Sequence, residues 1–253
     1  PNDRVLAVSA LNFDLSVYDI FGILAAGATI VIPSPDGAKD PAHWVELMVK
    51  HQVTLWNTVP ALMQMLVEYL SQHPDRSSFP LRLALLSGDW IPLNLPEQIK
   101  TFWSQIQVMS LGGATEASIW SVYYPITTVD PEWKSIPYGQ PLANQCLYVL
   151  NERMEPCPNW VAGQLYIGGI GIAQGYWRND EKTNASFIIG FLAFLKNQRF
   201  RSKDGFESVL GLSRAPFGSS WGSPGGLLGA PSGLWIDQRG PPDSSWNSLG
   251  PRL

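Results

Sequence analysis

The sequence is short of charge, of cysteine and of long apolar runs, and each shortage excludes something. Its 253 residues carry 17 Lys plus Arg against 21 Asp plus Glu, a net charge of −4 with no basic block. That balance makes a poor general nucleic-acid binder. Two cysteines, Cys146 and Cys157, cannot form a disulfide scaffold. No apolar run approaches the ~18 residues of a membrane-spanning helix. The chain opens Pro1-Asn2-Asp3-Arg4, with neither a methionine nor a signal-peptide pattern. A cytoplasmic protein is expected, with a biological start upstream of Pro1. His43, His51 and His73 lack metal-ligand spacing. No Gly-x-x-x-x-Gly-Lys-Ser/Thr phosphate loop is present.

Apolar residues are not scarce. At 45% of the chain they can build one large core or two small ones. The chain has two textures. From Gly190 to Leu253, Gly, Ser and Pro make up 42% of 64 residues, and Trp221, Trp235 and Trp246 sit without periodic neighbours. Such sequence cannot readily build a core. Residues 1–189 instead alternate strand and helix signals. Strands are expected at Val5–Ser9, Thr29–Ile32, Val53–Trp56, Leu81–Leu86 and Gln107–Leu111. Helices are expected from Ser16 to Ala26, from Pro41 to about His51 behind an Asp40 cap, and from Pro60 to Leu70. In the last helix Leu62, Met65, Leu66 and Leu70 share a face. This order predicts an α/β fold with a largely parallel sheet. After about Pro137, Gly-punctuated strands at Cys146–Leu150 and Gly163–Ile167 predict a smaller β-rich subdomain.

Ligands of such sheets gather at the carboxyl ends of the strands, where three loops stand out. In Asn12–Asp19, Asp14 is either a helix cap or a carboxylate for a substrate ammonium group, and it shares a helical face with Tyr18. Ser87-Gly88-Asp89-Trp90 follows an apolar strand and is either a plain turn or a close backbone approach to a ligand. In Gly112-Gly113-Ala114-Thr115-Glu116 the paired glycines suit an anion, and Glu116 could reach a magnesium ion bridging phosphates. The plainer alternative there is a helix start. A fourth segment, Gly163–Trp177, carries five glycines, followed by Thr183 and Phe187. No helix pattern follows those glycines as a dinucleotide site requires.

Taken in order, these segments resemble the adenylation domain of nonribosomal peptide synthetases, within the adenylate-forming superfamily. Phe13-Asp14-Leu15-Ser16 looks like its FDxS motif, and Gly113-Ala114-Thr115-Glu116 like the motif ending in Thr-Glu. Gly163–Phe187 looks like its long glycine-rich motif, with Gln164 and Ile172 as departures. The resemblance covers residues 1–189. It implies the large subdomain of that fold, incomplete at both ends. It also implies an AMP-forming ligase that joins a carboxylate to Mg-ATP and passes the acyl group to a carrier-protein phosphopantetheine thiol. Asp14 would hold the substrate ammonium, which an acyl- or aryl-CoA ligase would not need. Thr115 and Glu116 would act at the phosphates, with Glu116 on Mg2+. Gly88, Asp89 and Trp90 would border the adenine, and Gly112, Gly113 and Ala114 the nucleotide. Gly112 replaces an aromatic residue frequent in the family, so adenine stacking would be weaker or supplied elsewhere. The pocket positions would be Asp14, Leu15, Tyr18, Asn57, Leu85, Ser87, Leu111, Ile119 and Trp120, a set similar to that of cysteine-activating domains. Large residues would shrink the cavity, while Ser87 and Asn57 would face a thiol.

The resemblance also implies parts that cannot be found. The Ser/Thr/Gly-rich phosphate loop would precede residue 1. No YxTGDL motif follows Phe187, and no catalytic-lysine subdomain is recognisable. Residues 190–253 are therefore expected to be out-of-frame or unrelated sequence, and the chain alone to be inactive, with a non-catalytic remnant as the alternative. Hydrogen exchange on the purified chain is expected to show no protection after about residue 195; strong protection there would make the segment a genuine part of the fold.

Overall fold

The computed structural model describes residues 2–159, 161–188 and 194–196. These described residues fall into two compact units, one of 2–111 with Tyr124–Val129, the other of Gly112–Tyr123 with the described residues from Asp130 to Lys196. The expected tail of 190–253 lies outside the described residues, apart from the short strand Phe194–Lys196.

The first unit is built on five parallel strands: β1 (Arg4–Leu6), β2 (Thr29–Val31), β3 (Leu55–Thr58), β4 (Leu83–Ser87) and β5 (Gln107–Gly112), in the order β2-β1-β3-β4-β5. Every residue of β3 and β4 is buried, as expected for parallel strands covered on both faces. The expected strands form, each shifted or shortened by a few residues. Between β1 and β2 the expected helix runs from α1 (Leu15–Val17) through a π-helical turn, Tyr18–Gly22, into α2 (Ile23–Ala25). Helix α3 (Pro41–His51) starts as its sequence dictates: Asp40 accepts from the Ala42 amide at 2.9 Å, and Pro41 sits at the first position. Helix α4 (Pro60–Gln72) differs from expectation. Its buried face is Met63, Leu66, Val67 and Leu70, while Met65 turns outward. Helix α5 (Leu95–Phe102) follows β4 and was not expected from the sequence.

Successive strand residues point to opposite faces, so register decides which side chains meet. The pairs Asn57↔Leu85, Leu85↔Met109 and Ser87↔Leu111 set those residues on one face. Trp56 lies on the other, edge-on to Trp44 of α3 at 5.8 Å between ring centroids, and both rings are fully buried. Their N–H groups are satisfied, Trp56 donating to Thr58 Oγ1 at 2.7 Å and Trp44 to the Ala38 carbonyl at 3.1 Å. An ion pair also ties β1 to β4. Arg82 binds both carboxylate oxygens of Asp3, at 2.8 and 2.7 Å, and Thr54 Oγ1 donates to the same group.

The second unit is β-rich, as expected. Strand β6 (Val122–Pro125), whose last two residues are counted with the first unit, pairs antiparallel with β7 (Gln140–Pro141). Strands β8 (Gln145–Leu150), β9 (Gln164–Gly169), β10 (Phe187–Ile188) and β11 (Phe194–Lys196) form an antiparallel sheet in the order β10-β11-β9-β8. Its core gathers Ala117, Val122, Leu147, Val149, Leu165, Ile167 and Phe187 around the buried Cys157. Helix α6 (Asp180–Ser186), also unforeseen, is capped by Asn179, whose side chain accepts from the Lys182 amide. Among the described residues no helix is long and apolar enough to cross a membrane.

Replacing a buried indole opens a large cavity in a core that cannot collapse around it. Trp56→Ala is expected to cost ~3–5 kcal/mol of stability in urea denaturation. A loss below about 1 kcal/mol would mean that the two-tryptophan contact carries little of the first unit's core.

Candidate active site

Seven of the nine expected pocket residues lie in the first unit. Asn57, Leu85, Ser87 and Leu111 share one sheet face by register, and they are 0%, 3%, 2% and 9% exposed. Leu15, 2% exposed, lies on the segment that approaches Asn57. Asp14 occupies the N-cap position of α1, but its side chain makes no capping bond. The plain cap reading of that carboxylate therefore does not describe its role. Tyr18 is half-buried, and its ring lies against Gly22, where an added Cβ would stand 3.0 Å from it. Burial and the neighbouring Asp19 push its phenol above the usual range.

The turn after β4 needs its glycine. Gly88 has φ of +86°, and a Cβ there would meet Val59 at 3.2 Å and the Phe13 ring at 3.3 Å. The loops after β1, β3 and β4 thus converge at one end of the sheet. Asp89 accepts from the Trp90 amide at 2.8 Å, and the Trp90 side chain stands out at 62% exposure.

Sequence reasoning missed Asp19. It sits in the π-helical turn, 1% exposed, and accepts from Asn57 Nδ2 at 2.9 Å. The same nitrogen donates to the Leu15 carbonyl at 3.3 Å. Asp19 Oδ2 and Asn57 Oδ1 are buried with no hydrogen-bond partner among the described residues. Burial pushes the Asp19 carboxyl up to about 7, against the opposing pull of the Asn57 bond. The spacing of Leu15, Asp19 and Ile23, all buried, was the one available signal.

The second unit holds the remaining residues. Thr115 and Glu116 sit in a single 3-10 turn, Thr115–Ala117, so the expected helix start is only one turn long. Gly113 lies against backbone: a Cβ would meet Ile119 O at 2.6 Å and Trp120 Cα at 2.8 Å. Ser121 N donates back to Gly112 O at 2.7 Å, closing the loop. At Gly112 a Cβ would fall 2.4 Å from the Tyr138 ring, so a larger residue there would displace that ring. Ser118 and Ile119, at φ of +60° and +70°, are left-handed in succession and carry the chain to Trp120. Ala114 is 9% exposed and packs into the unit's core. Glu116 is held from the glycine-rich segment: Tyr176 donates its hydroxyl to Glu116 Oε1 at 2.5 Å, and Ala173 N donates to Glu116 O at 2.8 Å. Lys182 Nζ lies 4.0 Å from the Tyr176 ring centroid. Ser118 Oγ adds a bond to Gly171 O at 2.8 Å.

The residues of both units, in this order on this sheet, match the AMP-binding enzyme family over residues 1–177. The chain belongs to that family. It is 49% identical over 214 residues to bacitracin synthase 1 of Bacillus licheniformis, covering 83% of this chain and 4% of that one. It is 51% identical over 187 residues to the anguibactin system regulator of Vibrio anguillarum, covering 74% of this chain and 18% of that one. Among solved structures, the nonribosomal peptide synthetase FmoA3 in its AMPPNP-bound form superposes with a TM-score of 0.74 at 44% identity, over 78% of this chain and 22% of that one. A second form of FmoA3, bound to alpha-methyl-L-serine-AMP, superposes equally well. The chain is part of an adenylation domain of the nonribosomal peptide synthetase kind. It spans less than a fifth of the length of these two curated relatives.

In this adenylation domain, Asp19 sets a pH dependence with a definite sign. An unfolded aspartate titrates near 3.8, and Asp19 in the folded chain at about 7. Between those values the folded state keeps a proton that the unfolded state has released, so stability falls as pH rises through the window and levels off above it. Asp3 works the other way: its bonds to Arg82 hold its carboxyl low despite partial burial, and that contribution is lost only at lower pH. Unfolding free energies from urea titrations are expected to fall between pH 4 and 7, by up to ~4 kcal/mol from this group, and the slope to flatten in Asp19→Asn. An equal slope in that variant would assign the dependence to other groups.

Proposed function

We propose that this domain activates an amino acid with Mg-ATP, forming an aminoacyl-AMP and pyrophosphate, and that the amino acid is cysteine. The observation that carries the reading is the pair of buried polar side chains, Asn57 and Ser87, on one sheet face with Leu85 and Leu111 and beside Leu15 of α1. A small apolar site with two polar groups suits a short side chain ending in a thiol or hydroxyl. The ligand of FmoA3, alpha-methyl-L-serine-AMP, has such a side chain, with a hydroxyl where cysteine has its thiol.

Asp14 takes the substrate ammonium in a charge-assisted contact. Leu15 and Tyr18 bound the side-chain space in the first unit. Gly88, Asp89 and Trp90 border the adenine, and Gly112, Gly113 and Ala114 border the nucleotide. Thr115 and Glu116 serve the phosphates. Among the described residues no group of three or more His, Cys, Asp or Glu could cage a metal. One carboxylate beside phosphate oxygens is nevertheless a normal donor set for Mg2+, so Glu116 fits that ion. Mg2+ there would neutralise phosphate charge as pyrophosphate leaves. The Tyr176 hydroxyl fixes one oxygen of the carboxylate in advance. The acyl group then passes to the phosphopantetheine thiol of a carrier domain, in a cytoplasmic synthetase with neighbouring domains.

ATP–pyrophosphate exchange by the full-length protein tests this reading. Cysteine is expected to support the fastest exchange, with ~10–200-fold discrimination against amino acids differing by one methylene. Exchange driven by aryl or fatty acids would overturn it in favour of a CoA-ligase-type enzyme. Absence of nucleotide binding in calorimetry would make the domain a non-catalytic remnant.

A further inference from the structure

The Asn57 side chain has three hydrogen-bonding sites that matter here, two N–H donors and one carbonyl oxygen. Both donors are spent on the covering segment, one on the Leu15 carbonyl and one on Asp19 Oδ1. Both partners are acceptors, so the amide cannot be turned round without setting oxygen against oxygen. An ionised Asp19 can only accept; once protonated it could also donate, and the Leu15 carbonyl is then the partner that still opposes a turned amide. The backbone is held as well: Ser9 Oγ donates to the Asn57 carbonyl at 3.2 Å, and the strand register fixes Asn57 beside Leu85. Asn57 is 0% exposed, and its remaining group, Oδ1, is buried without a partner among the described residues. A buried acceptor left unpaired costs free energy until a donor meets it.

We propose that Asp19 is a positioning residue that makes Asn57 an acceptor-only recognition group, so that the domain selects an amino acid whose short side chain ends in a hydrogen-bond donor over an alkyl side chain of the same size. The inference rests on the reading above that Asn57 borders the amino acid, and it adds a residue and a rule. The π-helical turn is what brings the carboxylate inward, since it places Asp19 on the buried side with Leu15 and Ile23 while Val17 and Phe21 stay exposed. Asp19 touches no substrate in this scheme. It acts by denying Asn57 its donor role.

The test uses the full chain with AMPPNP present, and compares L-cysteine with α-aminobutyrate, in which a methyl replaces the thiol. Calorimetry on the wild type is expected to show about tenfold tighter binding of cysteine, modest because a thiol is a weak donor. In Asp19→Asn a carboxamide can donate to Asn57 Oδ1, only the Leu15 carbonyl then opposes a turned amide, and the ratio is expected to fall towards one. A ratio still near ten in that variant, with both ligands weakened together, would make Asp19 merely structural and overturn the proposal. If the wild type binds neither ligand, the functional reading fails and the proposal with it. Amide NMR supplies a readout independent of binding. Both Asn57 Nδ2 hydrogens are expected to exchange slowly in the wild type, and one to exchange fast in Asp19→Leu. Fast exchange of both in the wild type would overturn the lock even if the amino acid binds.

Discussion

Strand register is the constraint on which the first unit depends. Asn57, Leu85, Ser87 and Leu111 meet only because β3, β4 and β5 pair as they do. A slip of β3 by one residue would turn Asn57 to the tryptophan side and bring Trp56 into its place. Two things forbid the slip. Trp44 and Trp56 fill a core that has no room for a polar amide, and the Arg82–Asp3 pair pins the start of β4 to the segment leading into β1. The polar groups of the site are thus held in place by apolar and ionic contacts around them. This is the usual economy of parallel α/β sheets, whose strands are buried on both sides and whose loops at one end carry the chemistry.

Much of this was legible in the residues, and what was not has identifiable reasons. The five parallel strands read out because each is a short apolar run bounded by turn residues. Helix α3 read out because Asp40-Pro41 is a cap followed by a residue fit for the first turn. The buried face of α4 did not, because Leu62, Met63, Met65, Leu66 and Val67 offer apolar residues in nearly every direction and periodicity cannot choose among them. The π-helical turn left no pattern in the sequence, and Asp19 went unnoticed because an acidic residue in an apolar helix is ordinarily a solvated one. The glycines of the phosphate-type loop were legible as glycines, but their reasons are long-range: Gly112 yields to the Tyr138 ring and Gly113 to the backbone of 119–121.

The two units hold their functional residues by different means. In the first, side chains project from a sheet whose geometry is set by many cooperative hydrogen bonds. In the second, a short turn is tethered to the glycine-rich segment by a few named bonds, Tyr176 to Glu116, Ala173 to Glu116 and Ser118 to Gly171. A sheet resists displacement as a whole, whereas a tethered turn can be released by loss of one partner. The glycine-rich segment, read from the sequence as plain strands and turns, is in the structure the fixture that orients Glu116.

The paired left-handed residues Ser118 and Ile119 carry a consequence for how such a domain can change. A β-branched residue at positive φ stores on the order of 1–3 kcal/mol of backbone strain, which glycine would relieve. Glycine would also remove the side chain that distinguishes this position. Selection for a sturdier fold and selection for a particular side chain therefore pull in opposite directions at residue 119. Ile119 keeps its side chain and carries that strain.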